Sequence, residues 1–352
     1  MDAHLWHRHA REEPVPAPAV LSLRELRSLA SSERERYVRH RRRWLLGLAI
    51  ENGQTRAARS MLTQLVEGNE MLGHGAKNIV AVDAANAVGK STLVRTWARG
   101  QYRDLVGEQL AEPGLPSWQM RPGALAHRIP VAWVNLPAAA RIKDLNTQVL
   151  QFFGYPVDGT VRSLTMRIAD AVDRHQLRIL VVDDAHLLNT RVGEGRDVLD
   201  HLKHMNTELG ERDATMVLVG ANLSGGAIFA DPQIAGRLRV VGLHPMGVDT
   251  EADRTAWQQM LYDLEQVVLP YLPAAKQGLF PARLAPHIWR LTQGYLGDVA
   301  QLVAGAAHRA ALEDRWTITV PDLESAPVSA RARAGAPSRG SSAASGLHLV
   351  GA

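Results

Sequence analysis

The chain has 352 residues, 46% hydrophobic and 22% charged, enough apolar material for roughly two domains of about 150 residues each. No apolar run approaches the roughly 20 residues that cross a bilayer and no signal-peptide-like stretch opens the chain, so a cytoplasmic protein is expected. Cysteine is absent, which excludes disulfides, thiolate nucleophiles and cysteine zinc sites; the 14 histidines show no HExxH spacing.

Residues 1–20 carry Pro14, Pro16 and Pro18 without a helical period and are expected to form a flexible leader. From Ser22 to about Ile50 the pattern is helical, with Leu23, Leu26 and Leu29 on one side and a cap at Ser31-Ser32-Glu33. Between Arg34 and Arg43 lie six arginines and His40 against one acid, Glu35. Such a block attracts polyanions; it is equally what a solvated helix face looks like, and both readings stay open.

Strands are expected at Asn78–Asp83, Ile129–Asn135, Arg178–Asp183, Thr215–Gly220 and, shorter, Arg239–Leu243. Helices are expected from the turn after Asp83 through Arg99, at Leu145–Phe153 and at Val161–His175. Strands apolar on both faces and separated by helices predict a parallel sheet covered on both sides. Thr250 to about Asp314 reads as wholly helical, and 326–352, rich in Ala, Ser, Gly, Pro and Arg, as a disordered tail.

The sharpest motif is Ala84-Ala-Asn-Ala-Val-Gly89-Lys90-Ser91, directly after a strand and opening a helix. A phosphate-binding loop needs converging backbone N–H groups, a lysine for the β/γ oxygens and a hydroxyl for Mg²⁺. Gly89, Lys90 and Ser91, with Thr92 beside them, supply the second half of that pattern; Ala84 stands where the motif has its first glycine. A Cβ at Ala84 is expected to constrain the turn. The strand Ile179–Asp183 then delivers Asp183 and Asp184 to the carboxyl edge of the sheet, where open α/β folds bind ligands. Asp183 suits a magnesium-holding acid and Asp184 a shorter version of the glutamate that orients an attacking water. The plain alternative is two acids capping a loop after a core strand.

Taken together, these residues resemble AAA+ ATPases, and within them the TniB/TnsC/MuB-like transposition regulators. The resemblance runs from about Tyr37 to Leu323. It rests on the altered loop at Ala84–Ser91, on VVDDAH, on VLVGAN at Val217–Asn222, on DPQIAGRL at Asp231–Leu238, and on GYLGDVAQLV at Gly294–Val303 followed by WTITVPDLES. It implies a P-loop three-layer αβα domain with a parallel sheet, followed by a small helical lid. The corresponding divisions are a basic N-terminal arm with helices (1–55), the nucleotide-binding domain (56–245), the lid (246–325) and the tail (326–352).

The resemblance further implies ATP and Mg²⁺ as cofactors. Ala84, Asn86, Val88, Gly89, Lys90, Ser91 and Thr92 would surround the nucleotide, and Ser91 and Asp183 the metal. Asp184 would be catalytic, Asn222 the polar sensor near the γ-phosphate, and Arg237, with Arg239 as backup, an arginine finger reaching a neighbouring subunit. The arginine of a GDxR sensor is missing at Gly297-Asp298-Val299-Ala300. The implied partners are double-stranded DNA, a transposase and further copies of the chain in a ring or filament, with no membrane. Arg41, Arg42, Arg43, Arg141 and Lys143 would touch phosphates, giving backbone contacts with weak sequence preference. Two alternatives stand beside this reading: an AAA+ or signalling-type ATPase acting on a protein partner, and a nucleotide-binding scaffold that hydrolyses little.

Overall fold

The computed structural model describes residues 1–86, 88–190 and 195–335. The chain opens with α1 (Ala3–Arg11), α2 (Leu23–Ser28), α3 (Ser31–Leu46) and α4 (Gly53–Met71). There follow β1 (Ile79–Ala84), α5 (Lys90–Val106), β2 (Ser117–Arg121), β3 (Ala124–His127), β4 (Val131–Asn135), α6 (Ile142–Phe152), α7 (Val161–His175) and β5 (Ile179–Asp183). Next come α8 (Gly195–Gly210), β6 (Thr215–Gly220), the short α9 (Ala227–Ala230) and α10 (Pro232–Ala235), and β7 (Leu238–Leu243). The rest is helical: α11 (Glu251–Val268), α12 (Ala285–Thr292), α13 (Leu296–Leu312), α14 (Val320–Ser325) and α15 (Ala330–Gly335).

These elements form two compact units. Of the described residues, the first holds 1–12, 54–86, 90–190 and 195–243, and the second 13–53, 88–89 and 244–335. The 1–55 segment, expected as one arm, thus divides between them.

The first unit is built on a parallel sheet in the order β4-β5-β6-β1-β7. Its inner strands are runs of Val, Ile and Leu buried on both faces, because helices cover both sides of a parallel sheet. At the margin, β7 alternates buried Leu238, Val241 and Leu243 with exposed positions. From β1 the chain passes to β4 at the far edge, steps back through β5 to β6 beside β1, and then adds β7 on the other side of β1. Ala81 pairs with Leu218 on one side and with Val240 on the other, so β1 is the shared strand. All five strands point one way and their carboxyl ends share one edge.

Two features of this unit depart from the sequence reading. Residues 1–20 are not all leader, because Ala3–Arg11 is a helix whose N-cap Asp2 accepts the Leu5 N–H at 2.8 Å. It docks through fully buried Trp6, stacked on Trp133 of β4 at 5.8 Å between ring centroids. Arg103 and Arg99 of α5 donate to the Ala10 and Glu12 carbonyls at its C-terminal end. The β2–β3 hairpin was also not expected; Pro122-Gly123, with Gly123 at φ +78°, is the turn signal for it.

A buried histidine gives the first unit a pH signature. On α8, His201 donates from Nε2 to Asn146 Oδ1 of α6 at 2.9 Å, and burial, helped by nearby His204, pushes it down to about 4. The unfolded chain takes up that proton at about 6.5, before the folded one does, so folded stability is complete above that pH and is lost as pH falls towards 4. The loss from this residue amounts to about 3 kcal/mol. Buried His175 shifts in the same direction and adds to it. Denaturant titrations between pH 7 and 4.5 should show the decline, and His201→Gln should flatten it.

The second unit packs its helices around Trp257, Phe280, Ile288 and Leu302. Glu265, fully buried, accepts the Gly278 and Phe280 backbone N–H groups at 2.7 Å each and so holds the turn after α11. A smaller cluster joins Leu26 and Val38 to Ala311 and Trp316. The tail expected to be disordered from 326 is partly built: Ser329 donates its N–H and Oγ to Asp298, and Arg331 donates to the same carboxylate at 2.9 Å while lying over the Tyr295 ring. Ala332 of α15 is fully buried. The remainder of that expected tail, 336–352, lies outside the described residues.

Candidate nucleotide site

The loop after β1 enters α5 at Lys90. Gly89 holds φ +101° with open space where a Cβ would stand, so the backbone conformation itself calls for glycine. Ala84 does not strain the loop as expected. It is the last residue of β1, paired in register with Leu243, and its φ is not positive. The turn begins after it, where an extended residue carries a Cβ at no cost.

Lys90 is 7% exposed, and its ammonium has no hydrogen-bond or ion-pair partner among the described residues. It opens a 17-residue helix, whose first N–H groups and dipole already favour an anion. Ser91 is half-buried next to it, Thr92 and Asn86 are exposed, and Val88 is buried.

Asp183 ends β5 and is 4% exposed. Its Oδ1 accepts the Ser91 hydroxyl at 3.2 Å and the Asp184 N–H at 2.9 Å. Burial raises its pKa above the usual carboxylate value and the Asp184 charge adds to this; the two hydrogen bonds and Arg95 oppose it. A hydroxyl and a carboxylate in contact are hard oxygen donors of the kind magnesium takes, so this pair fits the ion. Asp184 follows in the left-handed region at φ 56°, where Asp is better tolerated than longer side chains.

Between the loop strand β1 and the acid strand β5 runs β6, and Asn222 stands just past its end, exposed and left-handed at φ 52°. Two side chains overlooked in the sequence hold that turn. The Asp83 carboxylate accepts the Leu223 and Ser224 N–H groups at 2.8 and 2.9 Å. The Ala221 N–H donates to His186 Nδ1 at 3.3 Å. Gly220 keeps the turn close, since a Cβ there would lie 2.7 Å from Leu223 Cδ2 and 3.1 Å from the His186 nitrogen. The one available signal was placement, with Asp83 ending β1 and His186 ending the VVDDAH run.

The remaining expected residues scatter. Arg237 is exposed at the opposite edge of the sheet, where its carbonyl accepts the Ile79 N–H at the start of β1, so it is not at the loop of its own chain. Arg239 is exposed and donates to the Gly236 and Leu238 carbonyls. Arg141 and Lys143 are exposed at the start of α6, on the carboxyl side of β4. Arg42 and Arg43 are exposed on α3, but Arg41 is not available to DNA. It is 1% exposed, donates to the Tyr271 and Ala307 carbonyls at 2.8 and 2.6 Å, and lies over the Trp316 ring. Burial lowers its pKa to about 10, which still leaves it charged at neutral pH.

No metal-holding cluster of His, Asp and Glu, and no helix long and apolar enough to cross a membrane, occurs among the described residues. The fold is similar to that of the Aeropyrum pernix ORC2 protein, solved as ADPNP–ADP complexes, with TM-score 0.51 and 13% identity over 78% of this chain and 67% of that one. It is also similar to Cdc6p from Pyrobaculum aerophilum, with TM-score 0.52 and 15% identity over 78% of this chain and 66% of that one. The chain therefore spans about two thirds of the length of these proteins and shares with them the AAA+ αβα fold. No curated protein sequence matches it. The pattern of the bacterial TniB protein family matches residues 52–247, more than half of the chain, and the chain belongs to that family.

Proposed function

We infer that the protein is an ATP-dependent transposition regulator that binds DNA, assembles on it with ATP, engages a transposase and disassembles on hydrolysis. The observation that carries the nucleotide part is the contact between Ser91 and Asp183 at the carboxyl ends of β1 and β5, beside Lys90, which has no partner among the described residues. ORC2, similar in fold, was solved with ADPNP and ADP, which supports a nucleotide at this edge.

In this reading Lys90 and the first N–H groups of α5 bind the β- and γ-phosphates. Ser91 and Asp183 would hold a magnesium ion, which neutralises phosphate charge when bound. Asp184 accepts a proton from, and orients, the attacking water, while the Asn222 amide positions that water. Arg237, far from the loop of its own chain, acts on the nucleotide of a neighbouring copy. Backbone contacts from exposed Arg42, Arg43, Arg141 and Lys143 bind duplex DNA.

The test is binding of labelled random duplex with ATP, ADP or no nucleotide while assembly size is followed by light scattering. ATP should produce large assemblies that decay as ATP is consumed. Asp184→Asn, which keeps the left-handed turn, should retain nucleotide affinity, lower hydrolysis at least about tenfold and leave the assemblies standing. Nucleotide binding without DNA affinity in any state would overturn the DNA reading and favour a protein-directed ATPase.

A further inference from the structure

The direction of Arg41 reorganises the arginine block. At 3.6 residues per turn, the α3 face that includes Arg41 also carries Val38, Trp44 and Leu45, all buried. Arg36, Arg39, Arg42 and Arg43 then fall within about 120° on the outward face, and all four are exposed. From Arg36 to Arg43 the stripe rises about 10 Å, which is about three phosphates along one DNA strand.

Two arginines near the stripe share a carboxylate: Arg27 and Arg34 both pair with Asp314. None of the four stripe arginines has a carboxylate partner among the described residues, and Glu35, the one acid of the segment, has no cationic partner among them. The neighbouring element feels the uncompensated charge. On α13, packed along α3, His308 has a buried Nδ1 without a hydrogen-bond partner among the described residues. Burial lowers its pKa, and Arg42 and Arg41 push in the same direction.

We propose that the outward stripe of Arg36, Arg39, Arg42 and Arg43 on α3 is a binding surface for the nucleic-acid phosphate backbone that works without bound nucleotide. Guanidinium groups donate in a fork that matches phosphate oxygens, and four on one rigid helix are held in register before binding. A membrane surface is the poorer fit, because an interfacial helix inserts its apolar face and that of α3 is committed to the core. The proposal rests on the DNA-binding reading above, but it assigns the basal contact to α3 and makes it independent of the P-loop.

The experiment measures the anisotropy of a labelled 30-base-pair random duplex with the full chain, without nucleotide and with ADP or ATP, from about 50 to 300 mM NaCl. The stripe variant is Arg36→Ala/Arg39→Ala/Arg42→Ala/Arg43→Ala, and a control carries Arg162→Ala/Arg174→Ala on the α7 surface. Each lost phosphate contact should lower the log–log salt slope by about 0.9, about 3 to 4 in total, in the nucleotide-free protein. Affinity near 50 mM salt should fall at least about 50-fold in the stripe variant and little in the control. Arg42→Lys/Arg43→Lys in the otherwise unchanged chain keeps the charge and should keep most of the wild-type slope, and unchanged thermal unfolding checks that the stripe variant folds.

An unchanged slope in the stripe variant overturns the proposal, as does binding to anionic phospholipid vesicles with no binding to duplex. If the stripe variant still assembles with ATP at an unchanged slope, the assignment to α3 fails and the regulator reading stands. If the wild type binds through the stripe yet ATP drives no assembly, the regulator reading fails and the stripe stands.

Discussion

Lys90→Met is expected to make the nucleotide-free protein melt higher and the nucleotide-loaded protein melt lower than the wild type. Methionine keeps the aliphatic reach and removes the ammonium of a residue that is 7% exposed and has no partner among the described residues. A charge held on a largely buried side chain without a partner weakens the folded state, so its removal should raise stability by about 1 kcal/mol, a shift of about 2–4 °C. The same ammonium is what a polyphosphate would pair with, and losing a charge-assisted hydrogen bond costs roughly 2–3 kcal/mol, or about 30- to 150-fold in Kd. At ATP about 100-fold above the wild-type Kd, the wild type gains about 2.7 kcal/mol and the variant less than about 1. Differential scanning fluorimetry with and without Mg-ATP should therefore show the order of the two melting curves reverse. A variant that melts lower without nucleotide and is still stabilised by ATP would mean that Lys90 is structural and the loop is not a phosphate site.

The contrast between Lys90 and Arg41 shows what the sequence could and could not say. Both are buried cations in helices, and the residues around Lys90 announce its setting: an apolar strand, a small-residue turn with glycine, then the helix. The sheet was legible for the same reason, since runs such as Ile179–Val182 and Met216–Val219 suit a strand covered on both faces. Ser91 and Asp183 could be put on one sheet edge because parallel strands share it, and their side chains do touch. Arg41 looks the same as Arg42 and Arg43 in the sequence. Its inward phase depends on Trp316 and on the Tyr271 and Ala307 carbonyls, more than 200 residues away, which no local pattern contains. The helix α1 was hidden differently. Asp2, Ala3, Trp6 and Ala10 have capped-helix spacing, but the prolines that follow at Pro14, Pro16 and Pro18 dominated the reading of the whole segment.

Asp83 is the residue whose role only the fold reveals, and Asp83→Ala is expected to slow hydrolysis far more than it weakens nucleotide binding. Its carboxylate ends β1 and accepts two backbone N–H groups 140 and 141 residues further on, one on Leu223, which is buried, and one on exposed Ser224. Removing the acceptor leaves the Leu223 donor unsatisfied at about 1–3 kcal/mol, while Ser224 turns to water. Asn222, already left-handed, would then be held mainly by His186 on the Ala221 N–H, and its amide would sample several positions. If Asn222 orients the attacking water as proposed, misplacing it costs rate without touching the phosphate contacts proposed for Lys90. The expected outcome is a fall in kcat of about tenfold or more with KM for ATP changed less than about threefold. Asn222→Ala should lower kcat similarly, and in the Asp83→Ala background it should cost little more, since two residues acting through one turn do not add. Asp83→Asn keeps one acceptor oxygen and should fall between. A purely structural Asp83 would give a lower melting temperature, an unchanged kcat and full additivity with Asn222→Ala, and steady-state kinetics on the four proteins of that cycle separates the two.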